Sequence, residues 1–219
     1  MRSTKAHNPL ESKVKKDFVM VAVALLIPLS AAAMTNAQQM QLEKAAVHGN
    51  KSALTTLRSA AERGDANAER GLGAYYYHRH HYKKAFLCFE KAANQGNAGA
   101  EAGLGYTYYH GEGVPKNYAK AVFWYQKAAD QGNAVAENNL GYAYYRGDGV
   151  PQNYAKANYW YQKAADQGNA DAEYNLGVAY YHGWGVPQNS MLALHWLKKA
   201  AALGDLAADS VIHHIERGN

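Results

Sequence analysis

Residues 134–169 read AVAENNLGYAYYRGDGVPQNYAKANYWYQKAADQGN, and almost the same 36 residues stand immediately before and after them. Residues 98–133 agree with this block at 27 of 36 positions, and residues 170–205 at 21. Unrelated chains of ordinary composition would share about two or three. A fourth block, residues 66–97, aligns at both ends: Leu72-Gly73 with Leu104-Gly105, and Lys91-Ala92-Ala93 with Lys127-Ala128-Ala129. It lacks four residues in the middle, where His78-Arg79-His80-His81 replaces a longer glycine turn. A period of this length is the mark of a stacked array in which each unit buries its apolar face against the next.

Each block is punctuated as helix, turn, helix. Asn97 suits the N-cap of a first helix running to about Tyr109, because its side chain accepts from the free amides of the first turn. Gly111-Glu112-Gly113-Val114-Pro115 then breaks the helix. Asn117 caps a second helix from Tyr118 to Gln131, which Gly132 stops in the left-handed conformation. Tyr118, Ala121, Val122, Tyr125, Ala128 and Ala129 recur at steps of three and four and form one apolar face. Gly105, Gly141 and Gly177 are costly inside a helix, and their expected use is to let the second helix pack close. Upstream, Ala53, Leu54, Leu57 and Ala60-Ala61 with Gly64-Asp65 repeat the second-helix pattern, so residues 38–65 are expected to cap the array. Downstream, residues 206–219 hold only a first helix, with His213 where the repeats have Gly105, Gly141 and Gly177. The array is therefore expected to be complete, an all-α fold of about four antiparallel helix pairs between capping helices.

The formal charge of +5 raises the question of nucleic acid or an anionic membrane. Residues 1–37 hold Arg2, Lys5, Lys13, Lys15 and Lys16 against Glu11 and Asp17, a surplus of three, which leaves only +2 for the rest. That is too little, too evenly spread, for a phosphate-tracking surface, and no nucleic-acid partner is expected. The front reads as an export signal: a basic stretch ending at Lys15-Lys16, an uncharged run from Phe18 to Met34, then small residues. Residues 1–37 are thus read as a signal peptide, cleaved after Ala33 or Ala37. An uncleaved anchor is the alternative, since 17 uncharged residues approach a bilayer span, although Pro28, Ser30 and the alanine cluster weaken it. After cleavage no stable membrane span is expected, and the destination is periplasmic or secreted. The single cysteine, Cys88, rules out an intramolecular disulfide, so stability rests on packing.

The pattern Ala-x-x-x-Leu-Gly-x-x-Tyr-x-x-Gly-x-Gly-Val-Pro, then Ala-x-x-Trp-Tyr-x-Lys-Ala-Ala-x-x-Gly, stands at Ala136–Pro151 and Ala157–Gly168, and again with Trp196-Leu197 in the last block. It resembles the Sel1-like repeat, a relative of the tetratricopeptide repeat, over about residues 66–205. The resemblance implies a right-handed superhelix that serves as a protein-interaction scaffold, and bacterial members with signal peptides are associated with envelope assembly, signalling and host contact. Some relatives are credited with β-lactam hydrolysis or cell-wall chemistry, but those carry cysteine pairs bridging each repeat, which this chain lacks. The first block departs from the pattern: its turn is short, and Cys88 takes the place of Trp124, Trp160 and Trp196.

Chemistry-bearing motifs are sparse. His78, His80 and His81 are the best metal candidates among ten histidines, yet no neighbouring cysteine or carboxylate completes a ligand set, and no metal or cofactor is expected. Glu69, Glu101, Glu137 and Glu173 recur once per block in the first turn of the first helix, where a carboxylate favours the helix dipole, and read as a structural ladder. There is no Gly-x-Ser-x-Gly and no His-Glu-x-x-His, and the one Ser-x-x-Lys, Ser12 to Lys15, lies in the leader. Cys88 is expected on the buried stripe. No catalytic residue, and no enzyme, is expected.

What varies against the fixed framework of the first helices is one face. It comprises Ala102, Gly103, Tyr106 and His110, then Asn138, Asn139, Tyr142 and Arg146, then Tyr174, Asn175, Val178 and His182. In a superhelix of this type that face lines the concave side. Tyr106, His110, Asn138, Asn139, Tyr142, Arg146, Tyr174, Asn175, Val178 and His182 are accordingly the expected contacts for a protein or peptide partner, since tyrosine, asparagine and arginine suit such work. A simply unconstrained surface is the alternative.

Overall fold

A computed structural model describes residues 33–217, and among them the secondary structure is eleven α-helices with no strand. The capping pair is α1 (Asn36–Val47) and α2 (Lys51–Glu62). The repeats follow as α3 (Ala66–His78) and α4 (Tyr82–Asn94), α5 (Ala98–His110) and α6 (Tyr118–Asp130), α7 (Ala134–Arg146) and α8 (Tyr154–Asp166), and α9 (Ala170–His182) and α10 (Ser190–Ala202). The last helix is α11 (Leu206–Arg217). Among the described residues each helix packs chiefly on its sequence neighbours, giving a solenoid.

The punctuation read from sequence sets the boundaries. Asn97, Asn133 and Asn169 accept from the amides of Ala100, Ala136 and Ala172 at 2.9–3.0 Å. Asn117, Asn153 and Asn189 cap the second helices in the same way. Gly111, Gly147 and Gly183 end the first helices in the left-handed region, with φ of 73–78°. The second turn glycine has a different constraint. A Cβ on Gly113, Gly149 or Gly185 would lie 2.5 Å from the backbone at Tyr82, Tyr118 or Tyr154, the first residue of the preceding repeat's second helix. The shortened first turn has no such glycine and instead holds His80 at φ 58°.

Between the two helices of each repeat the core closes on a missing side chain. A Cβ at Gly105 would stand 2.6 Å from the Tyr125 ring, one at Gly141 2.7 Å from Tyr161, and one at Gly177 2.7 Å from Leu197. Behind the ring lies main chain: the Ala157 carbonyl oxygen is 3.1 Å from that position on Gly141. Gly73 meets Phe89 in the same way. Around each contact lie Leu104, Leu140 or Leu176 and the paired alanines 128–129 or 164–165, all buried. Burying one such leucine contributes about 1.5–3 kcal/mol.

Two expectations are refined. Of the expected stripe, Ala121, Tyr125, Ala128 and Ala129 are buried, while Tyr118 and Val122 are only half-buried. The tryptophan column is not core: Trp124, Trp160 and Trp196 lie half-buried beneath the Nζ of Lys127, Lys163 and Lys199, at 4.7, 4.7 and 4.3 Å. Cys88, in that column, is therefore half-buried as well, while Phe89 beside it takes the core position and Leu87 faces solvent. Burial pushes the Cys88 thiol up to about 11.

Replacing Gly141 by alanine is expected to destabilise the array by about 1–3 kcal/mol, because neither the Tyr161 ring nor the Ala157 carbonyl can withdraw. Tyr142→Ala, at an exposed neighbour, should fall within about 0.5 kcal/mol of wild type. Thermal melts of the two variants provide the check, and equal midpoints would remove the packing role of the glycine. Cys88 should react with Ellman's reagent at pH 8 about a hundredfold more slowly in the native protein than in denaturant, since only the thiolate reacts.

Candidate functional site

The first helices make the most direct contact with one another along the stack, α3 with α5 and α5 with α7, whereas the second helices are joined mainly through them. The first-helix row thus runs continuously along the stack. Its depth is held by a ladder of carboxylates, buried more thoroughly than a dipole argument alone would require: Glu69, Glu101, Glu137 and Glu173 are 7, 0, 0 and 1% exposed. Gln131 Nε2 donates to Glu101 Oε2 at 2.6 Å and Gln167 Nε2 to Glu137 Oε2 at 2.6 Å, and Lys127 and Lys163 complete each site at 3.1 and 3.3 Å. The same lysines cover the tryptophans, so one cation serves a buried acid and an aromatic face. Glu69 has Gln95 and the field of Lys91, and burial still raises its pKa. In the last repeat Leu203 takes the glutamine's position, and Glu173 keeps Lys199 at 2.9 Å while its Oε2 has no hydrogen-bond partner among the described residues.

The residues singled out on this face do not share one environment. Asn138 is buried, and its Oδ1 accepts from Asn175 Nδ2 at 3.0 Å, so it works inside the stack. Tyr106 is exposed and lies against His110, ring centroids 4.2 Å apart, and burial lowers the His110 pKa. Arg146 reaches Asp148 at 3.8 Å. Tyr142, Tyr174, Asn175 and Val178 come together in a cleft of about 240 Å³ between the third and fourth repeats, with Tyr145, Tyr154, Asn158, Tyr161, Ala179 and Trp184 as the other walls. His182 stacks on Trp184 at the rim, at 4.4 Å, and Asn139 does not line the cleft.

One side chain in the turn makes this junction differ from the others. At the earlier junctions the central residue of Gly-x-Gly is acidic and reaches back to a tyrosine of the preceding first helix, Glu112 to Tyr77 and Asp148 to Tyr109. Burial raises the pKa of both tyrosines, and the acidic partners raise it further. At the third junction Trp184 stands where the acid would be. Its ring lies 5.5 Å from Tyr145 and stacks with Tyr154 at 6.2 Å, and its carbonyl accepts from Asn158 Nδ2 at 2.6 Å. Asn158 itself occupies the position of Val122. The expectation drawn from sequence missed Trp184, Tyr145, Tyr154 and Asn158 because it compared variable positions within the first helices only. The Glu112, Asp148, Trp184 series in the turn was the signal that would have found them.

Aromatic walls with amide groups suit an apolar or extended peptide segment, the rings giving rigid contact area and the amides adaptable hydrogen bonds. Among the described residues no group of three or more His, Cys, Asp or Glu is placed to hold a metal ion.

Stacked helix–turn–helix units define an α-solenoid, a class whose working surface is extended rather than enclosed. The chain belongs to the Sel1 repeat family: the Sel1 repeat matches residues 66–97, 98–133, 134–169 and 170–205. Those are the four blocks read from sequence. Members of this family are helical-repeat scaffolds that mediate protein–protein interaction. A Sel1 repeat protein from Oxalobacter formigenes is similar at 29% identity and TM-score 0.74, over 93% of this chain and 84% of that one. The protective antigen c5321 of uropathogenic Escherichia coli, which displays an SLR fold, is similar at 31% identity and TM-score 0.69 over 94% of this chain, which spans only 43% of the antigen's length. A putative Sel1 repeat protein from Klebsiella pneumoniae shares the fold at 24% identity and TM-score 0.57, over 82% of this chain and 92% of that one. No curated protein matches the chain.

Leu203→Gln should supply the amide that Glu173 lacks, since Leu203 and Gln131 share the same cap conformation. The expected gain is about 0.5–1.5 kcal/mol, the net worth of one hydrogen bond. Chemical denaturation against wild type measures it, and an unchanged or lower midpoint would show that the ladder does not need the glutamine.

Proposed function

We propose that the protein is an exported adaptor that holds an extended segment of a partner protein along the first-helix row, anchored in the cleft between the third and fourth repeats. The observation that carries this reading is the junction itself: Trp184 replaces the acid that ties the other turns back, and Asn158 fixes the tryptophan's backbone. Stacking requires neither change, and together they gather exposed and half-exposed aromatic rings at one place. Trp and Tyr are also the residues that most often dominate interfaces.

Export is supported by the basic stretch, the uncharged run and the small residues of 1–37. No helix among the described residues is long and apolar enough to cross a membrane. The similarity to a protective antigen of a pathogen supports a place in the bacterial envelope or at a host interface.

A photo-crosslinking residue placed at Tyr142 or Tyr174 in living cells should capture the partner, while the same residue at Tyr159, 58% exposed on a second helix, should not. With the captured partner in hand, Tyr142→Ala combined with Trp184→Ala should weaken binding by at least about 2 kcal/mol with the helical circular dichroism retained. Capture from Tyr159 alone, or normal binding by the double variant, would move the interface to the second-helix side.

A further inference from the structure

We propose that the protein matures by hydrolysis of the Ala33–Met34 bond, and that the α-ammonium so created on Met34 is held by the Asp65 carboxylate. The proposal rests on the export reading and deepens it by fixing where the leader ends and what the new terminus does.

The N-terminal cap reaches back to Met34, upstream of residue 38, where it was expected to begin. Met34 is 7% exposed and packs into the cluster of Ala46, Ala53, Leu57, Ala60 and Ala68, whereas Ala33 before it is exposed. The Met34 backbone nitrogen donates to Asp65 Oδ2, and its carbonyl accepts from the Asn67 amide. Thr35 caps α1 through a reciprocal capping box: its Oγ1 accepts from the Gln38 amide at 3.2 Å, and Gln38 Oε1 accepts from the Thr35 amide at 3.0 Å. Cleavage after Ala37 would delete the buried methionine, the cap and the start of α1. Cleavage after Ala33 keeps the buried methionine, the cap and all of α1, and Ala31 and Ala33 present the small residues that a signal peptidase accepts.

Asp65 is built for two partners. Its Oδ1 accepts from Ala68 and caps α3, leaving Oδ2 for Met34. At the three internal junctions the same cap is Asn97, Asn133 and Asn169, whose side chains have one acceptor oxygen each. At Asp65 the second carboxylate oxygen thus meets a second donor. Hydrolysis by a signal-peptidase-class protease adds water across the peptide bond. Hydroxyl goes to the Ala33 carbonyl, leaving a carboxylate, and protons go to the Met34 nitrogen, leaving an ammonium. A donor that was a single neutral N–H becomes a charged group facing an acid, a stronger pairing.

Expression of the full gene with its own leader in a bacterium, then N-terminal sequencing and intact mass of the extracytoplasmic protein, tests the cleavage. A chain beginning at Met34 is expected. One beginning at Gln38 or at any other residue overturns this proposal and leaves export standing, as does an unprocessed chain found in the envelope. An unprocessed chain left in the cytoplasm overturns both. On the processed protein, the α-amine should react with an amine reagent at pH 7 about tenfold more slowly in the native state than in denaturant, the change that one unit of raised pKa produces. Equal rates would overturn the pairing with Asp65.

Discussion

The two helices of every repeat meet at a point where one of them has no side chain. Gly73, Gly105, Gly141 and Gly177 each let a ring or leucine of the second helix lie against the first helix's main chain, closer than any Cβ would permit. Much follows from that approach. It brings the second helix near enough for the Tyr125 and Tyr161 rings to be buried, and it lets Lys127 and Lys163 reach back to Glu101 and Glu137. A glycine inside a helix costs roughly 1 kcal/mol relative to alanine. The cost recurs once per repeat and is offset by the area that the close contact buries.

The buried glutamate supplies the directional part of the same joint. Hydrophobic contact alone would tolerate sliding of one helix along another, whereas a carboxylate without exposure must find its amide and ammonium at fixed positions. Glu101 and Glu137 find both, Gln131 with Lys127 and Gln167 with Lys163. The register of each helix pair is thereby set by charge, and its spacing by glycine. Tryptophan, which from its period alone reads as core, is the platform of this arrangement: the lysine lies over its ring and from there reaches the glutamate.

Much of this was legible in the sequence because a repeat states its framework several times over. The four blocks, the asparagine caps, the glycine stops and the packing role of Gly105, Gly141 and Gly177 all follow from period and from the special conformational properties of Asn, Gly and Pro. What periodicity could not supply was depth. Glu101 looks like an exposed first-turn acid, and only the three-dimensional arrival of Gln131, 30 residues later, makes it buried. The candidate face was legible in part: Tyr142, Tyr174, Asn175 and Val178 do converge, but Asn138 turns into the stack because Asn175 needs an acceptor there. Trp184 lay in a turn, outside the helical pattern, and pairs with residues of the preceding repeat.

The turn glycines give the array a polarity. Gly113, Gly149 and Gly185 each press on the first residues of the second helix before them, so the start of that helix is covered by the turn of the repeat that follows. Among the described residues no such turn follows α10, and Met191, in its first turn, is 81% exposed. Local opening should therefore begin at the C-terminal end and travel backwards, each repeat losing its shelter only after the next has let go. In hydrogen exchange this would appear as a gradient of protection along the chain, steepest at the amides of Leu194, Trp160, Trp124 and Phe86 taken in that order.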